Sequence, residues 1–364
     1  MKIDFAKLQH QYQLYKADID ANIQAVLDQS NYIMGKEVPE LESKLQEFTG
    51  AKHAISCSSG TDALLLAMMA IDVQPGDEII TTPFTFIATA ETIALMKAVP
   101  VFVDIEDDTY NIDASKIEAA VTKKTKAIMP VSLYGQPADL DAITDIAQRH
   151  KLKVIIDGAQ SFGSAYRGVS DSSLGDISTT SFFPAKPLGC YGDGGAVFTN
   201  DDGYAERIRM MRVHGQNKRY HHKYIGLGGR LDTIQAAILL AKLPHYEQEL
   251  ERRQNVADQY SARLAHRVVV PKIRHERTSV WAQYTVRVID RDNIQEVLKR
   301  QGIPTAVHYP IPLHKQECFA YLDGGRHGLP VVEKLSADVM SLPMNPFLEE
   351  EEIQFVVDRL LEAI

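Results

Sequence analysis

The sequence predicts an α/β protein: a large, mainly parallel sheet with helices on both faces, followed by a small C-terminal α+β part. Two observations predict it. Between residues 51 and 200 short apolar runs alternate with helical patterns, and after a long helical stretch the chain resumes with its own strand and helix signals. Strands that alternate with helices are joined by crossovers, which make neighbouring strands parallel and cover both faces of the sheet.

In order, the strand runs are "HAISC", "DEIITT", "VPVFVDI", "KAIMPVSL", "KVIID", "ISTTSF" and "GAVFTN". Several are apolar without alternation, as expected of central strands buried on both sides. Helical patterns such as "TDALLLAMMAI" and "LDAITDIAQRHK" stand between several of them. The long stretch from Arg230 to Arg267 leads to "AQYTVRVI", "NIQEVLKRQG" and a final helix ending at Ile364. The chain divides near Pro244, into a large domain over 1–244 with an N-terminal helix and a small one over 245–364. Binding groups are expected in loops beyond the carboxyl ends of the large sheet's strands.

Composition narrows the partners. The 364 residues are 45% hydrophobic and 24% charged, with a formal net charge of −9. That is enough apolar material for a sizeable core, and the acidic balance argues against nucleic acid or an anionic membrane and for a small metabolite. The first 20 residues have no apolar core of a signal peptide, and no run approaches the roughly 20 apolar residues of a spanning helix, so a cytoplasmic protein is expected. Cys57, Cys190 and Cys318 lack metal-ligand or disulfide spacing, which argues for reduced thiols and no metal.

Four motifs carry chemistry. In "SCSSGTDALLLAM", Ser59, Gly60 and Thr61 stand between a strand and a helix, where free backbone N–H groups favour a phosphate; taken alone, an ordinary helix cap is the commoner explanation. "GCYGDGGAV" fails as a dinucleotide fingerprint, because Val197 stands where the last small residue belongs. "KVIIDGAQSFG" ends an apolar strand with Asp157 and places Gln160 three residues later, and a carboxylate there requires a partner. In "SFFPAKPLGCYGDGG", Lys186 stands between Pro184 and Pro187, which restrict the backbone, and before four glycines that permit close approach. With the aromatic Phe86 of "TTPFTFIAT", these are the parts of a pyridoxal phosphate site. The lysine bonds the cofactor aldehyde and moves protons, and the aspartate keeps the pyridine nitrogen protonated so that the ring accepts electrons.

The ordered set "SSGTDALLLAM", "PFTFIATAET", "VIIDGAQSFG", "SFFPAKPLGCYGDGG", "RLDTIQAA" and "PTAVHYPIPLHKQ" resembles the DegT/StrS family of nucleotide-sugar aminotransferases, over nearly the whole chain. The resemblance implies pyridoxal phosphate fold type I, the aspartate aminotransferase-like architecture, with the cofactor cycling through pyridoxamine phosphate. It makes Lys186 the Schiff-base lysine and Asp157 the pyridinium partner, sets Gln160 on the phenolic-oxygen side, and stacks Phe86 on the ring. Gly60, Thr61, the backbone of Asp62, and Ser181 hold the phosphate. The runs "PVSLYGQ", "RYHH" and "PTAVHYPIPLHKQ" resemble the branch that moves an amino group from L-glutamate to C-3 of a UDP-linked 2-acetamido-3-oxo-glucuronic acid, for bacterial lipopolysaccharide (O-antigen). The alternative is a dTDP- or UDP-linked 3-keto- or 4-keto-6-deoxy sugar. Arg230, His308 and Tyr309 match substrate-binding positions that reach the partner subunit's site, which implies a homodimer. One departure stands out: many members carry a G-x-N-x-R run whose Asn reaches across to the cofactor phosphate, and here "GLGGR" puts Gly228 in that place.

Overall fold

The computed structural model describes residues 1–322 and 328–364. Seven strands form the main sheet: β1 (His53–Cys57), β2 (Glu78–Thr81), β3 (Val99–Phe102), β4 (Thr125–Met129), β5 (Lys153–Asp157), β6 (Ile177–Ser181) and β7 (Gly195–Thr199). Their spatial order is β1-β7-β6-β5-β4-β2-β3. The neighbours from β6 through β3 pair in parallel, while β7 runs antiparallel to both β6 and β1. The sheet is therefore mixed, with its antiparallel part at one edge.

Successive residues of a strand point to opposite faces, and the core divides accordingly. Ile79, Ala127 and Ile155 pack with the Gly60–Ala70 helix on one face, whereas Ile80, Ile128 and Ile156 pack with the Leu140–His150 helix on the other. This two-sided burial explains why the strand runs read as continuous apolar stretches.

The reversal between β6 and β7 matters most for the site. Ser181, the last residue of β6, pairs with Gly195, the first of β7. The segment between them leaves and returns at one point, so it stands as a closed loop at the carboxyl end of β6. Asp157 ends β5, the adjacent central strand, at the same edge of the sheet.

A second core lies toward the C-terminus. Strands β8 (Tyr284–Arg287) and β9 (Val339–Leu342) pair antiparallel and pack with the Tyr246–Leu264, Arg291–Arg300 and Glu350–Ala363 helices. The long helical stretch breaks at a 3-10 turn, Leu243–His245, that contains Pro244. The helix after it serves both cores: Tyr246 stacks with Phe162, while Val256, Tyr260 and Leu264 join the C-terminal cluster. The chain's first residues cross over as well. Ile3 is 2% exposed within the C-terminal core, and its N–H donates to the Gly302 carbonyl at 3.0 Å. Among the described residues no helix is long and apolar enough to cross a membrane.

Candidate active site

The lysine loop is held shut from inside. Phe182 N–H donates to the Gly194 carbonyl (2.7 Å), Cys190 N–H to the Phe182 carbonyl (2.8 Å), and Lys186 N–H to the Phe183 carbonyl (2.8 Å). A Cβ on Gly189 would lie 2.6 Å from the carbonyl oxygens of Phe183 and Pro184, so only glycine allows the loop to fold this tightly. The buried Lys242 ammonium donates to the Gly189 carbonyl, and the Gln235 side chain accepts the Tyr191 N–H at 2.9 Å. Lys186 is thus fixed at the centre of a braced loop.

Its side chain enters a cavity of about 530 Å³ that is also lined by Gly60, Thr61, Phe86, Asp157, Gln160, Ser181, His308 and Tyr309. Burial lowers the Lys186 ammonium to about 8, against an opposing pull from the Asp157 carboxylate. A lysine in that range keeps a sizeable neutral fraction near neutral pH, as a nucleophile and proton carrier requires.

Asp157 is 4% exposed, and burial pushes its carboxyl up. Opposing this, Thr89 donates its hydroxyl to Oδ2 at 2.7 Å, the Ala159 N–H donates to Oδ1 at 3.2 Å, and the Lys186 charge adds attraction. Thr85 stands behind Thr89 with the two hydroxyl oxygens 2.9 Å apart. Sequence reasoning did not single out Thr85 and Thr89. They lie in the quoted "PFTFIATAET" run, and the four-residue spacing of two threonines beside a buried aspartate was the available signal.

At the phosphate end, Ser59 caps the Gly60–Ala70 helix by accepting the Asp62 N–H at 3.0 Å. This differs from expectation at Asp62, whose N–H is engaged in the cap, whereas the first-turn N–H groups of Gly60 and Thr61 have no acceptor within the helix. Both residues line the cavity, as does Ser181. A Cβ on Gly60 would sit 2.7 Å from the Ser181 Cβ, and one on Gly195 would sit 2.5 Å from the Ser59 carbonyl. Both glycines therefore let the sheet edge and the helix start close on one small volume.

Gln160 is fully used. Its Oε1 accepts the Tyr134 N–H at 2.8 Å and its Nε2 donates to the Tyr309 hydroxyl at 3.0 Å. His308 stands 2.9 Å from the Ser341 hydroxyl of β9, which in turn meets Thr285 of β8 at 2.9 Å. Burial and the nearby Lys186 charge lower His308 to about 4, so it is neutral. Phe86 is 56% exposed at the cavity wall, its ring 6.4 Å from that of Tyr309.

The three residues expected at the substrate do not lie together. His308 and Tyr309 line the cavity of their own chain, beside Lys186 and Gln160, where the C-terminal core carries them over the carboxyl edge of the main sheet, with His308 held against Ser341 and Tyr309 against Gln160. Arg230 does not line this cavity. It follows Gly229, whose carbonyl accepts the Ser58 N–H at 3.0 Å, and its guanidinium makes no hydrogen bond or ion pair with the described residues. Gly228 lies under His214, whose ring would be 3.2 Å from an added Cβ.

The side chains fit pyridoxal phosphate in kind: a lysine of lowered basicity, a buried carboxylate with its own donors, two uncommitted helix N–H groups beside a serine, and an aromatic wall. Among the described residues no group of acidic, histidine and cysteine side chains is arranged to hold a metal.

Comparison with known proteins identifies the family. The chain is 53% identical over 355 residues to the UDP-2-acetamido-2-deoxy-3-oxo-D-glucuronate aminotransferase of Pseudomonas aeruginosa, covering 97% of this chain and 98% of that one. A DegT DnrJ EryC1 StrS aminotransferase from Brucella abortus superposes with a TM-score of 0.97 at 40% identity, covering 99% of both chains. NtdA from Bacillus subtilis with bound cofactor PMP superposes with a TM-score of 0.93 at 31% identity, over all of this chain and 85% of that one. The model of the DegT/DnrJ/EryC1/StrS aminotransferase family matches residues 13–361, and the chain belongs to that family.

Proposed function

We propose that this protein is a pyridoxal phosphate-dependent aminotransferase that moves an amino group from L-glutamate to C-3 of a UDP-linked 2-acetamido-3-oxo-glucuronic acid. The observation that carries the reading is Lys186 held in one cavity with Asp157 and the open N–H groups of Gly60 and Thr61. The similarity to the Pseudomonas enzyme supports the choice of sugar. The product would serve bacterial surface polysaccharide, in the cytoplasm, and the working unit would be a homodimer.

When bound, the cofactor supplies the carrier for the amino group and an electron sink for the carbon that loses its proton. The chain supplies the rest. Gly60 and Thr61 N–H groups with the Ser181 hydroxyl would hold the phosphate. Asp157, whose ionised form Thr89 and the Ala159 N–H favour against burial, would hold the pyridine nitrogen's proton. Phe86 would wall the ring's side of the cavity, and Lys186 would carry the proton taken from the donor's α-carbon. Neutral His308 beside it repels no ammonium.

Arg230, which pairs with none of the described residues, would read the sugar's C-6 carboxylate in the partner subunit's site, since a planar guanidinium grips a carboxylate with two hydrogen bonds. The test loads the protein as pyridoxamine phosphate and offers the 3-oxo uronic acid and its neutral 6-hydroxymethyl analogue. Wild type should prefer the uronic acid, and Arg230→Ala should lower its kcat/KM roughly 30- to 1,000-fold, the equivalent of ~2–4 kcal/mol. No preference in wild type, or a full preference in the variant, would favour a 6-deoxy keto-sugar instead.

A further inference from the structure

Three of the described arginines are buried, and two of them have acids: Arg212 pairs with Glu42, and Arg277 with Glu276. Arg253, on the Tyr246–Leu264 helix, has none. It is 6% exposed, its Nη1 donates to the Trp281 carbonyl at 3.0 Å, its Nε is buried without an acceptor, and it forms no ion pair with the described residues. The acid one turn back, Glu249, spends both oxygens on the Gln11 amide, at 2.8 and 3.0 Å. The Glu249 charge offsets part of the burial that disfavours the Arg253 cation, without forming an ion pair with it, so the guanidinium lacks the direct carboxylate partner that a desolvated arginine favours.

Arg253 faces a chamber of about 90 Å³ between the N-terminal segment and the C-terminal core. Lys186, Gln283 and His308 line both this chamber and the main cavity, so they form the partition between the two. The Gln283 Oε1 is also buried without a partner. Two residues, each with an unpartnered buried polar atom, thus line one small space that ends at the reactive lysine.

We propose that Arg253 is a carboxylate subsite for the amino donor. The chamber is too small for a sugar nucleotide but suits the end of a dicarboxylic amino acid, and its opening at Lys186 puts the donor's reacting carbon where the proton must be moved. Gln283 adds a neutral amide to the same end. This rests on the amino-transfer reading and extends it to the donor.

The test uses the holoenzyme and glutarate, a dicarboxylate without an amino group. Calorimetry should show glutarate affinity weakened at least about tenfold in both Arg253→Lys and Arg253→Gln, because lysine keeps the charge and loses the two-pronged geometry. Affinity for UDP-N-acetylglucosaminuronic acid should stay within about twofold. In wild type labelled with ¹⁵N-arginine, glutarate should shift a single side-chain Nε resonance, the one missing in Arg253→Lys; this holds even if Arg253→Gln does not fold. Unchanged glutarate affinity, or no Nε shift, overturns the proposal. So does loss of sugar affinity with glutarate binding intact, which would assign the arginine to the sugar's carboxylate. A wild type that binds glutarate through Arg253 but converts no keto-sugar upholds the subsite and sinks the proposed function.

Discussion

Lys186 and Asp157 pull each other in opposite directions. Burial disfavours charge on both, while their mutual attraction restores some of it. For Lys186 burial wins, and its folded value near 8 lies below the ordinary 10.5. The apoprotein therefore binds fewer protons at this group than the unfolded chain between pH 8 and 10.5, so stability contributed by the group rises with pH across that window and is least below 8. Lys186→Met should remove that rise, as denaturant unfolding of the two apoproteins at pH 7 and 10 would reveal. Equal pH slopes would mean the lysine is not desolvated. Asp157 depends on Thr89 for one of its two donors. Thr89→Val should raise the Asp157 carboxyl and slow the proton-transfer step ~10- to 150-fold, the worth of a hydrogen bond to a charge at ~1.5–3 kcal/mol. Thr89→Ser should restore most of the rate. A valine variant within twofold of wild type would show that Thr89 merely fills space.

At the scale of elements, the site is made by a helix start and a closed loop meeting at one edge of the sheet. Gly60 sets how closely they meet, because a Cβ there would press on the Ser181 Cβ at 2.7 Å. Gly60→Ala should weaken binding of pyridoxal phosphate by ~1–3 kcal/mol, the usual cost of overpacking, while leaving binding of unphosphorylated pyridoxal nearly unchanged. Fluorescence titration of both compounds reads the difference, and a parallel loss of both would mean the strain spreads beyond the phosphate end. The strand runs and the isolated lysine were legible because the local chain determines them: apolar continuity marks buried strands, and prolines with glycines mark a rigid loop. The direction of β7 was not, since an apolar strand has the same pattern whichever way it runs. The Asp202–Met211 helix and β9 escaped for a related reason: their patterns are short and their burial comes from distant partners.

The whole molecule explains what local patterns concealed. His308 and Tyr309 come to Lys186 because the C-terminal core folds over the sheet edge, tied there by Ser341, Thr285 and Gln160. Ile3 and Lys7 bind the chain's beginning to that core, the latter through the Phe347 carbonyl at 2.7 Å. No sequence window contains these contacts. Nor does local sequence distinguish the two desolvated lysines, since Lys242, like Lys186, is lowered by burial to about 8. Their surroundings separate them: Lys242 is bound to the Gly189 carbonyl behind the loop, while Lys186 opens into the cavity with Asp157. The most direct measurement is therefore borohydride reduction of the protein saturated with pyridoxal phosphate, followed by peptide mass spectrometry. The added mass should fall on the peptide containing Lys186 and vanish in Lys186→Ala. Its appearance on Lys242 or any other lysine, or on none, would contradict the assignment of this cavity as the active site.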